Sequence, residues 1–189
     1  MSAPLTSGPP KAVLDACVLF PTVLREILLG VAAAGLYRPL WSARILEEWA
    51  RATVKLGPGA EVVARGEIAV MRADWPQALA EPGPGVEARL WLPDPADAHV
   101  LALAVSAHAD GIVTFNAADF PRGLLAEEGV ARWDPDNFLR DLWARSPAAV
   151  SAAVEAVRAK AERISGREQP MKALLKRAKL PRLAKALAG

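Results

Sequence analysis

Apolar positions recur along this chain with two different periods, and the alternation between them predicts its elements. Residues 12–16 (AVLDA) form a short β-prone run with an acid near its end. Over 21–34 the spacing becomes helical, with Val23, Ile27, Val31, Leu24 and Leu28 on one apolar side, and Gly35 stops it. Residues 37–40 read as a second short strand despite Pro39. Ser42 is a good N-cap for a helix carrying Ile45, Leu46, Trp49 and Val54 to about residue 55, where Gly57-Pro58-Gly59 breaks it. A further helix is predicted over 60–73 on the stripe Val62, Val63, Ile68, Val70 and Met71, then a loop or helical turn over 76–85. The Ala, Val and Leu-rich run 98–109 has the composition of a helix packed on most sides. Residues 111–115 (GIVTF) read as a strand covered on both faces, and 116–120 (NAADF) as the loop after it. A last short strand over 130–133, a helix over 135–144 and two further helices over 147–164 and 171–188 complete the chain. Strands alternating with helices imply an α/β domain with a largely parallel sheet.

Composition narrows the class. The 189 residues suffice for one domain of ordinary size, and 52% apolar against 23% charged residues support a core and argue against disorder. The single cysteine, Cys17, excludes an intramolecular disulfide and a multi-cysteine zinc site, and it fits a reducing compartment. No apolar run reaches the roughly 18–20 residues of a membrane helix. The start, MSAPLTSGPPK, lacks the basic and apolar regions of a secretory signal, so residues 1–11 are expected to be a loose leader and the protein cytoplasmic. Net charge is +2, but from Arg158 onward ten Lys or Arg stand against two acids, so a basic C-terminal segment follows an acidic body. That asymmetry points to an anionic partner such as nucleic acid, although a basic amphipathic helix is also a common solvated face.

The acids suggest where chemistry lies. In an open parallel sheet, ligands bind outside the carboxyl ends of the strands. Asp15 lies near the end of the first strand, and Asn116 and Asp119 follow the run ending at Phe115. Asp94 and Asp97 precede the apolar helix, and Glu47 and Glu48 lie on the helix from Ser42. These groups converge if the sheet order brings the first and fourth strands together. Carboxylates sharing a cleft repel one another unless a cation neutralises them, and oxygen ligands without histidine or thiolate suit Mg²⁺ or Mn²⁺. Such clusters handle phosphates. Each acid also has a structural reading. Asp94 caps a turn, Asp97 sits on a helix N-terminus, one of Glu47 and Glu48 faces solvent, and Asn116 and Asp119 shape a turn. Asp15 fits that reading least, because an acid in an apolar strand is costly to bury unless it serves a site. His99, His108 and Cys17 (the last on Asp15's strand face by period two) read as structural.

Four blocks, LDACVL (14–19), SARILEEW (42–49), LPDPADAHVLA (92–102) and IVTFNAADF (112–120), in this order and spacing, resemble the PIN-domain ribonucleases. The nearest group is the VapC-type toxins of type II toxin-antitoxin systems, and the resemblance spans about residues 11–145. It implies a three-layer α/β/α sandwich with a central mostly parallel sheet and a metal-dependent endoribonuclease. Residue by residue it carries catalytic and metal-ligating roles to Asp15, Glu48, Asp97 and Asp119. Asp15, Asp97 and Asp119 would bind one or two Mg²⁺ or Mn²⁺ ions, with Glu48 ligating or orienting the attacking water. Thr114 matches a strand-end hydroxyl beside the metal site, and Asp94 and Asn116 support it. Two departures stand out. Cys17 replaces the Asn, Ser or Thr of many relatives, which puts the polar support of Asp15 in question, and Asn116 replaces a fourth acid.

The resemblance also implies an RNA substrate, an antitoxin protein filling the cleft, and homodimerisation, with no membrane. On this reading 12–146 is the nuclease domain and 147–189 a basic helical extension. Arg167, Lys172, Lys176, Arg177 and Lys179 of that extension are the candidates for holding RNA backbone. The alternative is a catalytically decayed PIN-like protein that binds RNA or antitoxin. A phosphatase with Asp15 as nucleophile would want an acid two residues on and a late lysine. Position 17 is cysteine, and no lysine occurs between Lys55 and Lys160.

Overall fold

The computed structural model describes residues 8–189, so the first seven positions of the expected leader lie outside the described residues. Strands β1 (Lys11–Leu14), β2 (Arg38–Leu40), β3 (Gly111–Val113) and β4 (Ala131–Trp133) pair in the order β2-β1-β3-β4, every pair parallel. Around them run α1 (Ala16–Leu19), α2 (Thr22–Ala33), α3 (Ala43–Ala52), α4 (Ala60–Asp74), α5 (Val86–Arg89) and α6 (Ala98–Ser106). The chain continues through α7 (Arg122–Glu127), α8 (Pro135–Arg145), α9 (Pro147–Ser165), α10 (Met171–Arg177) and α11 (Pro181–Leu187). This is the expected α/β class with helices flanking a parallel sheet. Among the described residues no helix is long and apolar enough to cross a membrane.

The central strands are buried along their apolar length, as a parallel sheet covered by helices requires. Gly111 is obligatory there, since a Cβ would stand 2.7 Å from the Trp133 ring and 2.9 Å from the Ala131 carbonyl. Ser42 caps α3 by accepting the Ile45 N–H at 3.2 Å, and Asp134 caps α8 with Pro135 in its first turn. Arg25, on α2 and 4% exposed, ties the early helices together. It donates to the Leu19 carbonyl at 2.6 Å and to Glu67 at 2.8 Å, and its guanidinium lies 4.3 Å from the centre of the Trp49 ring. One buried cation thus sets α1, α3 and α4 relative to one another.

Several boundaries differ from the sequence reading. The expected convergence of first and fourth strands is instead a pairing of β1 with β3, with β4 outside β3. The first strand ends at Leu14, and Asp15 caps α1, which places Cys17 on a helix instead of on Asp15's strand face. The helix from Ser42 gives way to a 3₁₀ turn at Thr53–Leu56, and the apolar helix stops at Ser106. The single helix expected over 171–188 is two. Pro181 has no N–H to continue the ladder, Leu180 before it leaves the helical region (φ −118°, ψ 53°), and Lys179 adopts φ +60°.

The last helices are not a loose appendage. α8 leads away from the carboxyl edge of the sheet, and α9 returns along α2 and α8. At the N-terminus of α11 the backbone N–H groups of Arg182 and Leu183 donate to the two oxygens of buried Asp136, each at 2.9 Å. The sequence does not mark this carboxylate, because its partners lie 46 and 47 residues away.

Candidate metal and nucleic-acid site

The carboxyl ends of β1 and β3 are neighbours, with Leu14 in register with Val113. The residues that follow them therefore share one edge. Asp15 is 7% exposed, and its carboxylate is held on both sides: Oδ1 accepts the Ala16 N–H at 2.7 Å and Oδ2 the Thr114 hydroxyl at 2.7 Å. The Cys17 thiol is a further donor to Oδ2, 3.2 Å away. Burial, then the charge of Asp15, pushes that thiol up to about 12, so it stays protonated and keeps donating. The polar support that a cysteine at this position puts in question is thus supplied by sulfur, with Thr114 as the stronger partner.

Three further carboxylates gather in front of Asp15. Asp94, Asp97 and Asp119 each offer an oxygen, and the three oxygens lie within 4.8 Å of one another. Asp94 both caps, accepting the Ala96 N–H at 2.9 Å, and joins this group, so the two readings of it are compatible. Asp97 begins α6 without capping it. Its carboxyl is raised to about 6, chiefly by burial and then by the charges of Asp15, Asp94, Asp119 and Glu48. Asn116 donates its amide to Asp119 and its backbone N–H to Thr114 (2.9 Å), so the residue that removes a charge also orients one.

Of the neighbouring pair on α3, Glu48 faces this group. Glu47 turns outward to Arg51 and Arg65, whose hydrogen bonds hold its carboxyl down to about 2. Glu48 Oε1 stands 2.7 Å from His99 Nε2, a close contact off the line of the ring N–H, and 3.7 Å from Arg44 Nε. His99, which the sequence reads as structural, is 2% exposed. It is one imidazole in an otherwise apolar helix, and its nearness to Glu48 on α3 could not be read without the fold. His108 lies at the opposite edge of the sheet, lining a cavity of about 520 Å³ with Asp110 and Arg145 that none of these acids borders.

Of the five basic candidates, Lys179 stands at this edge. Its ammonium lies 5.2 Å from the centre of the Phe115 ring, next to Asn116. Lys172, Lys176, Arg177 and Arg167 are exposed on α10 and the turn before it.

The donor set fits a hard divalent cation. It consists of carboxylate oxygens, one of them raised by burial and then by its neighbours' charge, with no cation among the described residues inside the Asp94–Asp97–Asp119 group to offset them. The family model described as PIN domain matches residues 11–118, more than half of the chain. No curated protein and no solved structure matches it.

Proposed function

The chain belongs to the PIN-domain family, and from that premise we propose that it is a metal-dependent endoribonuclease. The observation that supports this most is the convergence of Asp94, Asp97 and Asp119 within 4.8 Å, with the other two acids close enough to raise Asp97. Asp15, Asp97 and Asp119 would hold Mg²⁺ or Mn²⁺ with Glu48, and Asp94, whose oxygen lies within 4.8 Å of those of Asp97 and Asp119, would join them. When bound, such an ion activates water and offsets the charge that builds on the phosphorus oxygens. Thr114 and Cys17 keep the Asp15 carboxylate in one orientation. His99 and Arg44 both engage Oε1 of Glu48, which leaves Oε2 to accept a proton from the attacking water. By family resemblance the products carry 5′-phosphate and 3′-hydroxyl ends.

The test is cleavage of single-stranded RNA with Mn²⁺ by the parent, Asp15→Asn and Asp97→Asn, together with calorimetric Mn²⁺ titration. Each variant is expected to lose at least about 100-fold in rate while staying folded. Parental rates in both would overturn the assignment, and absent saturable Mn²⁺ binding in the parent would favour the decayed, binding-only protein.

We also read Lys176, Arg177 and Lys179 as part of the RNA path, supported by the place of Lys179 beside Phe115. Replacing all three by glutamine should flatten the salt dependence of RNA binding by about 0.7 of slope for each phosphate no longer neutralised. Substitution is preferable to truncation, which would strip Asp136 of its partners. A toxin role with a cognate antitoxin is supported by the resemblance of the four sequence blocks. Its test is relief of growth arrest by the product of an adjacent small reading frame.

A further inference from the structure

Five of the six tryptophans are wholly or partly buried. Trp91 is 68% exposed. It sits in an extended stretch between α5 and the Asp94 turn, and the next residue, Leu92, is 1% exposed. Neighbouring side chains point to opposite faces of an extended chain, so anchoring Leu92 in the core turns the indole outward. A single exposed apolar side chain is ordinary on a protein surface. The placement of this one is not. Three residues of chain limit its Cα to at most about 11 Å from that of Asp94. Arg44 spans the same segment, donating to Glu87 at 3.0 Å and to the Ala96 carbonyl at 3.3 Å while reaching Glu48. The segment beside the acid group therefore carries a mostly exposed indole and a guanidinium.

A ligand suited to that segment has a phosphate for a cation that the acids would hold and a flat π-system within reach of it, which is the chemistry of an unpaired nucleotide. We propose that Trp91 is a stacking platform for an unpaired nucleobase next to the scissile phosphate. The proposal rests on the endoribonuclease reading and adds a base-binding subsite to it. A base in a duplex is already stacked on both faces and cannot use the platform, whereas a single strand can.

The experiment compares the full chain with Trp91→Ala and Trp91→Phe on a short single-stranded RNA of mixed sequence and on its duplex. Trp91→Ala should raise KM for the single strand about 10-fold with kcat little changed, and Trp91→Phe should keep most of the affinity. In the parent, an abasic nucleotide beside the cleavage position should raise KM similarly, with no further rise in Trp91→Ala. A second readout needs no turnover: in EDTA, the single strand should protect parental tryptophan fluorescence from acrylamide, and Trp91→Ala should abolish that protection. An unchanged KM in Trp91→Ala beside normal parental cleavage would overturn the platform and leave the nuclease standing. If the parent does not cut at all, the nuclease reading falls, and the fluorescence comparison still decides whether Trp91 stacks on RNA.

Discussion

Two aspartates stand at helix starts near the same edge of the sheet, and they have opposite lives. Asp136 is 4% exposed, and both its oxygens accept backbone N–H groups from α11. Asp97 is half-buried, does not cap α6, and is raised to about 6 by that burial and then by four facing carboxylates. The first is a carboxylate whose charge the protein has already balanced. The second accepts no such donor among the described residues and stands among like charges. Burial and helix position alone do not separate a structural acid from a site acid; the separation lies in what the oxygens touch.

The contrast can be broken from either side. The largest expected effect is on chemistry: Asp97→Asn should cost at least about 100-fold in Mn²⁺-dependent RNA cleavage, whereas Asp136→Ala should leave the rate per folded molecule near the parent's. Next comes stability, where Asp136→Ala should lose about 2–3 kcal/mol in urea unfolding, because two N–H groups at the start of α11 lose a charged acceptor. Asp97→Asn should not be destabilised at neutral pH, and equal losses in the two variants would erase the distinction.

A smaller effect sharpens the same contrast through pH. A carboxyl raised in the folded state makes the metal-free protein less stable as it ionises. Relative to Asp97→Asn, the parent should therefore fall behind as pH climbs from the ordinary 3.8 through about 6, and stay behind above it. With solvent screening at a half-exposed site the gap is on the order of 1 kcal/mol. Mn²⁺ should close it, and parallel stability curves from pH 4 to 7 would remove Asp97 from the centre of the charge cluster. The smallest effect is expected at Cys17→Ala, a loss of about 1 kcal/mol or less, since the Thr114 hydroxyl continues to hold Asp15.

Much of this was legible in the sequence, for identifiable reasons. The buried strands could be read because an apolar, β-branched run such as GIVTF has few other uses, and the four acid-bearing blocks carried their own order. What could not be read was set by contacts across long stretches of chain. Which of Glu47 and Glu48 turns inward depends on Arg65 and His99, each on another element. The membership of Asp94 in the acid group was obscured by its simultaneous and real capping of a turn. The break at Lys179 had a local signal, since Pro181 alone forbids one continuous helix there. Asp136 carries no local mark at all, and only its distant partners explain it.

The pairing of β1 with β3 has a temporal side. Thr114 and the Asp15 it holds are 99 residues apart. A chain leaves the ribosome from its N-terminus at about 5–20 residues per second, so Asp15 waits roughly 5–20 seconds for the strand that completes its surroundings. Through that interval the nascent polypeptide lies alongside its own message with the acid edge unassembled. The acid edge of this chain is by its topology incomplete until most of the chain has been made.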